Sequence, residues 1–325
     1  MSKLKFVYAL TSGESDYYAE QALMSMHSLR MHNPDCHIVL AADRETVDTF
    51  GTGGRSHIKD YVDELVVIDT PQGFTPLQRS RYVKTLIREY VKGDFLYLDC
   101  DTVVMGRLDG PEKSEADVAG VAFRHVRDWG EELPDRLVRF YKKTGIQERL
   151  EFPFFCNGGV ILCKDNEAGH LLFELWHKLW LECSTKYGYD FDQCNLWRAN
   201  ALAGGIMREL DGIYNCQILY PGGMSPYIDD CRVFHYFSNS RHFNTLSCKR
   251  TETMRRIREH GVDAVTEAEL RTLKEEYFDS FIIPVREDME IYNSPLVVLS
   301  RKLSRDYPWM NKLAKSVYGL FGIKI

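Results

Sequence analysis

The sequence predicts an α/β protein in which helices flank a mostly parallel, doubly wound sheet, with a helical extension at the C-terminal end. Short apolar segments alternate with segments of helical period from residue 5 to about residue 200, and this alternation is typical of βαβ units. With 44% hydrophobic and 27% charged residues, the composition is that of a globular protein rather than a disordered or coiled-coil one. Beyond His235 the pattern changes to helices, so we expect the sheet to end near that point.

The order of the elements follows from the apolar runs and from the residues that end them. The predicted strands are residues 5–10, 37–42, 65–68, 95–98, 118–123 and 159–163. The predicted helices are residues 17–32, 77–91, 133–144, 167–186, 192–201 and 251–260, and a further helix opens at the capping box Thr266-x-x-Glu269. Asn33-Pro34 ends the first helix, and Gly261 ends the helix at 251–260. Because ligands of doubly wound sheets bind at the carboxyl ends of the strands, we expect the chemistry just after Leu10 and Leu98.

The predicted helix 77–91 carries a basic residue at the margin of its apolar face. The apolar residues at helical spacing are Tyr82, Val83, Leu86, Ile87, Tyr90 and Val91. Lys84 falls at the edge of that face, whereas Arg81 and Arg88 are predicted to point further toward solvent. Lys84 is therefore the basic residue best placed to reach a cleft beside the sheet. A surface lysine that covers apolar neighbours with its stem gives the same pattern.

The last segment of the chain differs from the rest in charge. We divide the sequence into a sheet-bearing domain at 1–245, a helical extension at 246–295 and a basic amphipathic tail at 296–325. The basic residues of the tail are Arg301, Lys302, Arg305, Lys312, Lys315 and Lys324, and its one apolar helical face holds Trp309, Met310, Leu313, Val317, Leu320 and Phe321. This pattern predicts a helix that binds an anionic membrane surface. The alternative is that its apolar face packs on the rest of the chain or on a second subunit, and the oligomeric state stays open.

Charge and cysteine usage bear on partners and compartment. The formal net charge of −6 excludes a dedicated nucleic-acid binder, which needs a basic surplus to neutralise phosphates. The nine cysteines form no C-x-x-C pair and are predicted to be free thiols in a reducing compartment. We find no apolar run long enough for a signal-peptide core or a membrane span. We therefore expect a cytoplasmic protein, peripheral to the inner face of the plasma membrane if the tail binds there.

Two carboxylates one residue apart follow the apolar strand at 95–98 and give the strongest chemical signal. Asp99-Cys100-Asp101 places hard oxygen ligands at a strand end, where they can bind Mg²⁺ or Mn²⁺. Such an ion can in turn bridge the phosphates of a nucleotide. An Asp pair in an ordinary polar turn has the same local sequence, so the motif needs further residues to support it.

Three later features supply that support. Asn157-Gly158-Gly159 precedes an apolar strand and combines a close backbone approach with an amide side chain. Asp192-Gln193 opens a helix, although an acid there also favours the helix dipole without any function. His235 ends a short apolar segment, with Arg241 six residues later. A lone histidine is more often structural than a ligand, but the combination favours a functional site.

These motifs resemble those of glycosyltransferase family 8, the group of glycogenin and the bacterial lipooligosaccharide galactosyltransferases. The similarity extends from residue 5 to about residue 243, with the motifs in the same order and at similar spacing. It implies a GT-A fold, a UDP-sugar donor, Mn²⁺ with Mg²⁺ as a substitute, and transfer with retention of anomeric configuration. The sequence departs from the bacterial relatives at Ser238, where they have glycine, and at Cys194, where one of them has a third acidic residue.

The resemblance also implies a role for each matching residue. Asp99, Asp101 and His235 would hold the metal, and Asp99 would also touch the ribose. Around the donor, Tyr18 would stack on uracil, Thr11 would bind its edge or the ribose, and Lys84, Ser238 and Arg241 would surround the diphosphate. Asn157 and Asp192 would bind the sugar hydroxyls. The acceptor would be a glycan or lipid-linked glycan of a bacterial surface polysaccharide or lipopolysaccharide, and the donor UDP-galactose or UDP-glucose.

The residue at the family's candidate nucleophile position is Gln193, and an amide is a poor nucleophile. We therefore predict same-face attack, in which the departing phosphate receives the acceptor proton and the carbonyl oxygen of Gln193 stabilises an oxocarbenium-like centre. Two other functions stay open. A haloacid-dehalogenase-type phosphatase shares the Asp99-x-Asp101 strand, with Asp229-Asp230 as its later acidic pair, and a non-catalytic sugar-nucleotide-binding protein could retain the same motifs.

Overall fold

The computed structural model describes residues 4–51, 53–126, 134–146, 155–218, 227–238, 246–279 and 295. Arg241 and the basic tail at 296–325 lie outside these residues, so the roles predicted for them stay predictions. Among the described residues, no helix is both long and apolar enough to cross a membrane.

Ten strands and eleven helices make up the described fold. The strands are β1 (Lys5–Leu10), β2 (His37–Ala42), β3 (Glu64–Val67), β4 (Phe95–Leu98), β5 (Thr102–Val104), β6 (Val118–Ala122), β7 (Cys156–Cys163), β8 (Met207–Glu209), β9 (Cys216–Gln217) and β10 (Val233–His235). The helices are α1 (Tyr18–His32), α2 (Arg44–Asp48), α3 (Ile58–Tyr61), α4 (Pro76–Tyr90), α5 (Asp109–Glu112), α6 (Asp135–Thr144), α7 (Glu167–Tyr187), α8 (Gln193–Leu202), α9 (Thr251–His260), α10 (Ala264–Arg271) and α11 (Leu273–Asp279). Short 3₁₀ turns connect several of them.

The main sheet has seven strands in the order β3-β2-β1-β4-β7-β6-β8. All neighbouring pairs are parallel except the two that involve β7, which runs antiparallel to both β4 and β6. This confirms the predicted α/β class with a mostly parallel sheet. The strands β1 and β4 are neighbours in the middle of the sheet and run parallel, so both of their carboxyl ends lie at the same edge.

The core explains why β4 is apolar at every position. Every residue of β4 is buried, and Phe95 and Tyr97 belong to the core cluster that the sheet forms with α4 and α7. Phe95 contacts Phe173 of α7 edge to face, with ring centroids 5.8 Å apart, and the Trp176 side chain is fully buried. A strand buried on both faces requires a continuous apolar run rather than an alternating one.

A second, three-stranded sheet brings distant parts of the chain together. Its order is β5-β10-β9, and β10 runs antiparallel to β5 with His235 opposite Thr102. The strand β5 starts directly after Asp101, and the backbone N–H of Tyr236 donates to the carbonyl oxygen of Asp101 (3.2 Å). This pairing places His235 beside the two carboxylates that follow β4.

Two local predictions are wrong. Helix α10 begins at Ala264, because the Asp263 side chain accepts from the backbone N–H of Thr266 and thus caps the helix three residues before the predicted cap Thr266. Arg88 of α4 does not point to solvent. Its guanidinium is buried over the Phe95 ring, 4.8 Å from the ring centroid, and donates to the carbonyl oxygens of Val91 and Gly93.

Candidate active site

A cavity of about 800 Å³ opens at the carboxyl ends of β1 and β4. It is lined by all of the predicted site residues that the structure describes. They are Thr11, Tyr18, Lys84, Asp99, Asp101, Asn157, Asp192, Gln193, His235 and Ser238. The position matches the site expected from strand ends in a doubly wound sheet. What each residue can do there depends on its partners.

Asp99, Asp101 and His235 are the candidate metal ligands. One ligand atom from each lies within 4.8 Å of the other two. The Nε2 atom of His235 is 3.3 Å from Oδ1 of Asp101 and 4.0 Å from Oδ2 of Asp99. Burial alone would raise the pKa of Asp101, but the charge of His235 and hydrogen bonds from His235 and Ser238 hold it well below its usual range. Two carboxylates and an imidazole suit a divalent transition metal.

A chain of hydrogen bonds orients the His235 ring for this role. The backbone N–H of Gly159 donates to Oδ1 of Asn157 (2.8 Å), and that oxygen also accepts from Nδ2 of Asn215 (2.9 Å). The Asn215 amide therefore turns its Oδ1 atom toward Nδ1 of His235 (2.9 Å), which must carry the hydrogen. Nε2 is then the ring atom that faces the carboxylates, and in the neutral ring it carries the lone pair that a metal-binding histidine requires. Asn157 was predicted to bind sugar hydroxyls, but its carbonyl oxygen supports the histidine.

The turn after β10 completes the histidine site. Phe237 has a positive φ of 49° and stacks on the His235 ring at 3.9 Å between centroids. This turn brings both the backbone N–H (2.9 Å) and the hydroxyl (3.2 Å) of Ser238 to Oδ2 of Asp101. Ser238 lies next to the cavity as predicted, but it binds the carboxylate of Asp101.

Lys84 joins the metal-ligand candidates to the other acidic residue of the cavity. Its side chain is only 5% exposed, and Nζ lies 2.9 Å from Oδ1 of Asp99 and 3.4 Å from Oδ2 of Asp192. Arg81 contacts the other oxygen of Asp192 at 3.1 Å, so both oxygens of that carboxylate face cations. Burial opposes ionisation of Asp192, but Lys84 and Arg81 outweigh it and lower its pKa to about 2. The hydroxyl of Tyr97 donates to Asp99 (2.5 Å).

Gln193 has one end of its amide bound and the other end unpaired. Nη1 of Arg136, on α6, donates to Oε1 of Gln193 (2.5 Å), which fixes the orientation because the amide nitrogen cannot accept. Nε2 of Gln193 is buried and has no hydrogen-bond partner among the described residues. The predicted role of the carbonyl oxygen is not supported by this contact, since a cation already lies against it. The amide instead presents a hydrogen-bond donor.

Residues 11–17, the loop between β1 and α1, are held in place by hydrogen bonds to Asp16 and by a cluster of ion pairs. Asp16 accepts from the hydroxyl of Ser12 (2.6 Å) and from the backbone N–H of Gly13 (2.7 Å) and Tyr18 (3.1 Å). Beneath the loop, the fully buried Glu20 carboxylate is bound by two arginines, Arg55 of a 3₁₀ turn and Arg258 of α9. Both arginines also donate to the backbone carbonyl of Asp16. Thr11, whose Oγ1 atom has no partner among the described residues, thus lies at the start of a fixed loop, and Tyr18 lies at its end as the first residue of α1.

Replacing Arg258 should therefore destabilise the loop after β1 from a distance. Arg258→Met removes bonds to Glu20 (2.8 Å) and to the carbonyl of Glu14 (2.9 Å), and also the cation that lies over the Tyr17 ring. We expect the free energy of unfolding to fall by about 2 kcal/mol. Chemical denaturation measures this, and Arg255→Met, an exposed position of α9, is the control. Equal stability of the two variants would contradict it.

Arg136, Asn215, Arg81 and Arg258 were not predicted as site residues. Asn215 lies 58 positions from Asn157, and Arg258 lies 238 positions from Glu20, so no local pattern connects these pairs. Arg81 was expected at the solvent side of α4. The only sequence signal available for it was its spacing of three residues from Lys84, which places both on neighbouring parts of one helix surface.

Three residues that were considered for function lie elsewhere. The side chains of Asp229 and Asp230 are exposed and do not line the cavity, so they do not form an acidic pair with Asp99. Cys194, the departure from an acidic family position, is fully buried in an aromatic cluster with Phe140 and Tyr189. Its thiol bonds to the Tyr189 hydroxyl (3.4 Å) and does not face the cavity.

Several solved glycosyltransferases are similar to this chain in structure. The glycosyltransferase GlyE of Streptococcus pneumoniae TIGR4 is 19% identical at a TM-score of 0.51, over 86% of this chain and 64% of GlyE. The bifunctional glycosyltransferase WbbM is 14% identical at a TM-score of 0.51, over 82% of this chain and 52% of WbbM. The galactosyltransferase LgtC, solved with donor and acceptor sugar analogues, is 14% identical at a TM-score of 0.49, over 88% of this chain and 100% of LgtC.

The likeness to GlyE and WbbM shows that the chain has the GT-A fold of glycosyltransferases, as predicted. No protein-family model matches the chain, and no curated protein matches it either.

Proposed function

We propose that this chain is a metal-dependent glycosyltransferase of the family 8 type that transfers a hexose from a UDP-sugar to a glycan, with retention of configuration. The observation that carries the proposal is the convergence of Asp99, Asp101 and His235 within 4.8 Å, in the same cavity as Lys84 and Asp192. Those three residues would hold Mn²⁺, with Mg²⁺ as a substitute, and the ion would act as a Lewis acid that stabilises the leaving diphosphate.

The chain's own residues would bind and orient the donor. Thr11 and Tyr18 lie at the two ends of the fixed loop after β1 and would contact uracil and ribose. Lys84 supplies a buried positive charge near Asp99, and Arg241 is proposed to add a second. Positive charges that are already in place stabilise the negative charge that develops on the leaving group, and the protein does not have to rearrange during the reaction. Asp192 is held by Lys84 and Arg81 and would accept hydrogen bonds from the sugar hydroxyls.

The surroundings of Asp192 and Gln193 support same-face attack rather than a covalent intermediate. The Asp192 carboxylate is ion-paired with Arg81 and Lys84, and Gln193 is an amide, so both are weaker nucleophiles than an unpaired carboxylate. The acceptor hydroxyl would enter beside the departing phosphate, which would receive its proton. Gln193 would contribute as a hydrogen-bond donor through Nε2.

Gln193→Ala should lower turnover by about 10- to 1,000-fold, which is the range for the loss of one transition-state hydrogen bond. Steady-state UDP release gives the rate, and the stability of the variant should be measured alongside it. Mass spectrometry of the wild-type protein after rapid quenching provides the decisive check. A glycosyl adduct on Gln193 or Asp192 would rule out the same-face scheme.

The function itself is tested by a donor screen. Purified protein is incubated with Mn²⁺ and, in turn, UDP-galactose and UDP-glucose, and the release of UDP is measured with and without EDTA. The same protein is offered a phosphate ester to detect phosphatase activity. Release of UDP that disappears in EDTA supports the transferase. Release of phosphate from the ester would support the phosphatase, and UDP binding without turnover of any donor would support a non-catalytic binder.

We further propose that the acceptor is a glycan of a bacterial surface polysaccharide or lipopolysaccharide, and that the basic tail at 296–325 binds the membrane face that carries it. Each basic residue near an anionic surface is worth about 1 kcal/mol, so binding should be strong at low salt and weak at high salt. Sedimentation with anionic vesicles should recover the full-length chain but not a version that ends near Ser294. Equal recovery of the two proteins would show that the tail does not bind the membrane.

A further inference from the structure

We propose that the end of the cavity formed by Arg81, Arg136, Asp192 and Gln193, named here the arginine corner, binds a carboxylate of a sugar substrate. One of the two sugars in the reaction would then be a uronic acid. This inference rests on the proposed function and specifies its substrate class. It starts from one cation of the corner that forms no ion pair with a carboxylate of the described residues.

Arg136 is that cation. It is half-buried on α6, and its guanidinium lies 5.0 Å from the centroid of the Phe123 ring and donates to Gln193. No carboxylate of the described residues lies within the 4.0 Å of an ion pair with it. Its backbone carbonyl accepts from the hydroxyl of Tyr189 (3.4 Å), which connects this turn of α6 to the segment between α7 and α8. An arginine stays protonated, so a partly buried one without a counter-charge is unfavourable unless a ligand supplies it.

The acidic residue of the corner does not form an ion pair with Arg136. Asp192 is the acid of the corner, and its two oxygens lie 3.1 Å from Arg81 and 3.4 Å from Lys84. Lys84 is shared with Asp99, while Arg81 has only Asp192 as an ion-pair partner among the described residues. Pairing Arg81 with Asp192 and Lys84 with Asp99 leaves the charge of Arg136 unbalanced.

A second donor points into the same space. The Nε2 atom of Gln193 is buried without a partner, and its orientation follows from the bond between Oε1 and Arg136. A buried amide N–H that lacks an acceptor costs free energy, which a ligand oxygen would recover. The corner thus offers a guanidinium and an amide donor side by side, which is the arrangement that binds a carboxylate through both of its oxygens.

The size of the unbalanced charge favours a carboxylate over a phosphate. One unpaired cation balances the single negative charge of a carboxylate. A phosphate ester carries about 1.5 to 2 negative charges at neutral pH, and the surplus would face Asp192. A neutral hexose would leave Arg136 without a counter-charge in the complex as well.

The acid group could belong to the donor sugar or to the acceptor, and the experiment separates these sources. In the first arm, UDP release in the presence of Mn²⁺ is compared for UDP-glucuronic and UDP-galacturonic acid against UDP-glucose and UDP-galactose. In the second arm, the donor site is filled with Mn²⁺ and an inert 2-fluoro UDP-hexose. Binding of methyl glucuronide is then compared with binding of methyl glucoside by calorimetry.

We expect a preference for the acidic probe of about 10- to 100-fold in one of the two arms, the range of a charge-assisted hydrogen bond. Arg136→Gln should abolish that preference, and Arg136→Lys should keep part of it because a point charge remains. Arg139→Gln, at an exposed position of the same helix, should leave it unchanged.

The outcomes separate the inference from the function on which it rests. Binding of Mn²⁺ and UDP with no acid preference in either arm would overturn the inference alone. So would an Arg136→Gln variant that weakens acidic and neutral probes equally, since that points to a structural role only. Failure to bind UDP at all would overturn the proposed function, and this inference with it.

Discussion

Asp101→Asn is expected to lower turnover of the UDP-hexose donor by about 1,000-fold while leaving the protein folded. The substitution keeps the shape of the side chain and an oxygen for the two bonds from Ser238, but it removes the negative charge that faces Nε2 of His235 at 3.3 Å. Without that charge the site loses its attraction for a divalent ion, and the leaving diphosphate loses its stabilisation. UDP release by the purified variant measures the effect, and thermal unfolding checks that the fold is intact.

Asp229→Asn is the matched control for Asp101→Asn. It makes the same chemical change at an exposed position outside the cavity, and it also removes an acid that the phosphatase interpretation requires. We expect it to retain full activity. The wild-type protein in EDTA should fall to the level of Asp101→Asn, because both treatments empty the same site. Full wild-type activity in EDTA would show that the reaction needs no metal.

Gly159→Ala should abolish the metal site through a single methyl group, whereas Gly158→Ala should not. A Cβ atom at position 159 would lie 2.3 Å from Cε1 and 2.7 Å from Nδ1 of His235. The ring cannot move aside, because it bonds to Asn215 and stacks on Phe237. At position 158 the nearest atom to a Cβ would be Nζ of Lys84 at 3.6 Å, which is an ordinary contact.

We expect Gly159→Ala to lower the affinity for Mn²⁺ by at least about 100-fold. Mutation of a residue that only supports a metal ligand already lowers metal affinity by about 10- to 100-fold, and here a ligand itself is displaced. Electron paramagnetic resonance of free Mn²⁺ in the presence of UDP gives the affinity directly and does not depend on turnover. Gly158→Ala should bind Mn²⁺ as the wild type does. Equal losses in the two variants would mean that a general disturbance of β7, and not contact with His235, is responsible.

The local sequence determines those elements in which the pattern of apolar residues directly indicates which positions are buried. Strands β1, β2 and β4 and helix α9 have the predicted bounds, because continuous apolar runs and glycine or proline ends are local properties. The short strands β5, β8, β9 and β10 were not predicted as separate elements, because two or three residues are too few to show a period. The predicted opening at Thr266 was wrong because Asp263 caps the backbone N–H of Thr266 itself, so Thr266 already lies within the first turn of α10.

The candidate site divides in the same way. The sequence alone determined which chemical groups are present, since Asp99-x-Asp101, Asn157-Gly-Gly159, Asp192-Gln193 and His235 are each visible in the printed chain. It also determined that the first of these motifs ends a buried strand. Such groups can be recognised from the sequence because their chemistry depends on residue type and on spacing over a few positions.

Only the tertiary structure decided what those groups can do. The pairing of β10 with β5 carries His235 to Asp101, and Asn215 then fixes the ring, across separations of 20 residues or more. Arg136 turns Gln193 into a hydrogen-bond donor from 57 positions away. The free energies of these contacts depend on distance and orientation in space, which a linear pattern does not contain. The sequence thus sets the inventory of charges and donors, and the packing of the sheets and helices sets which of them are paired and which remain for a ligand.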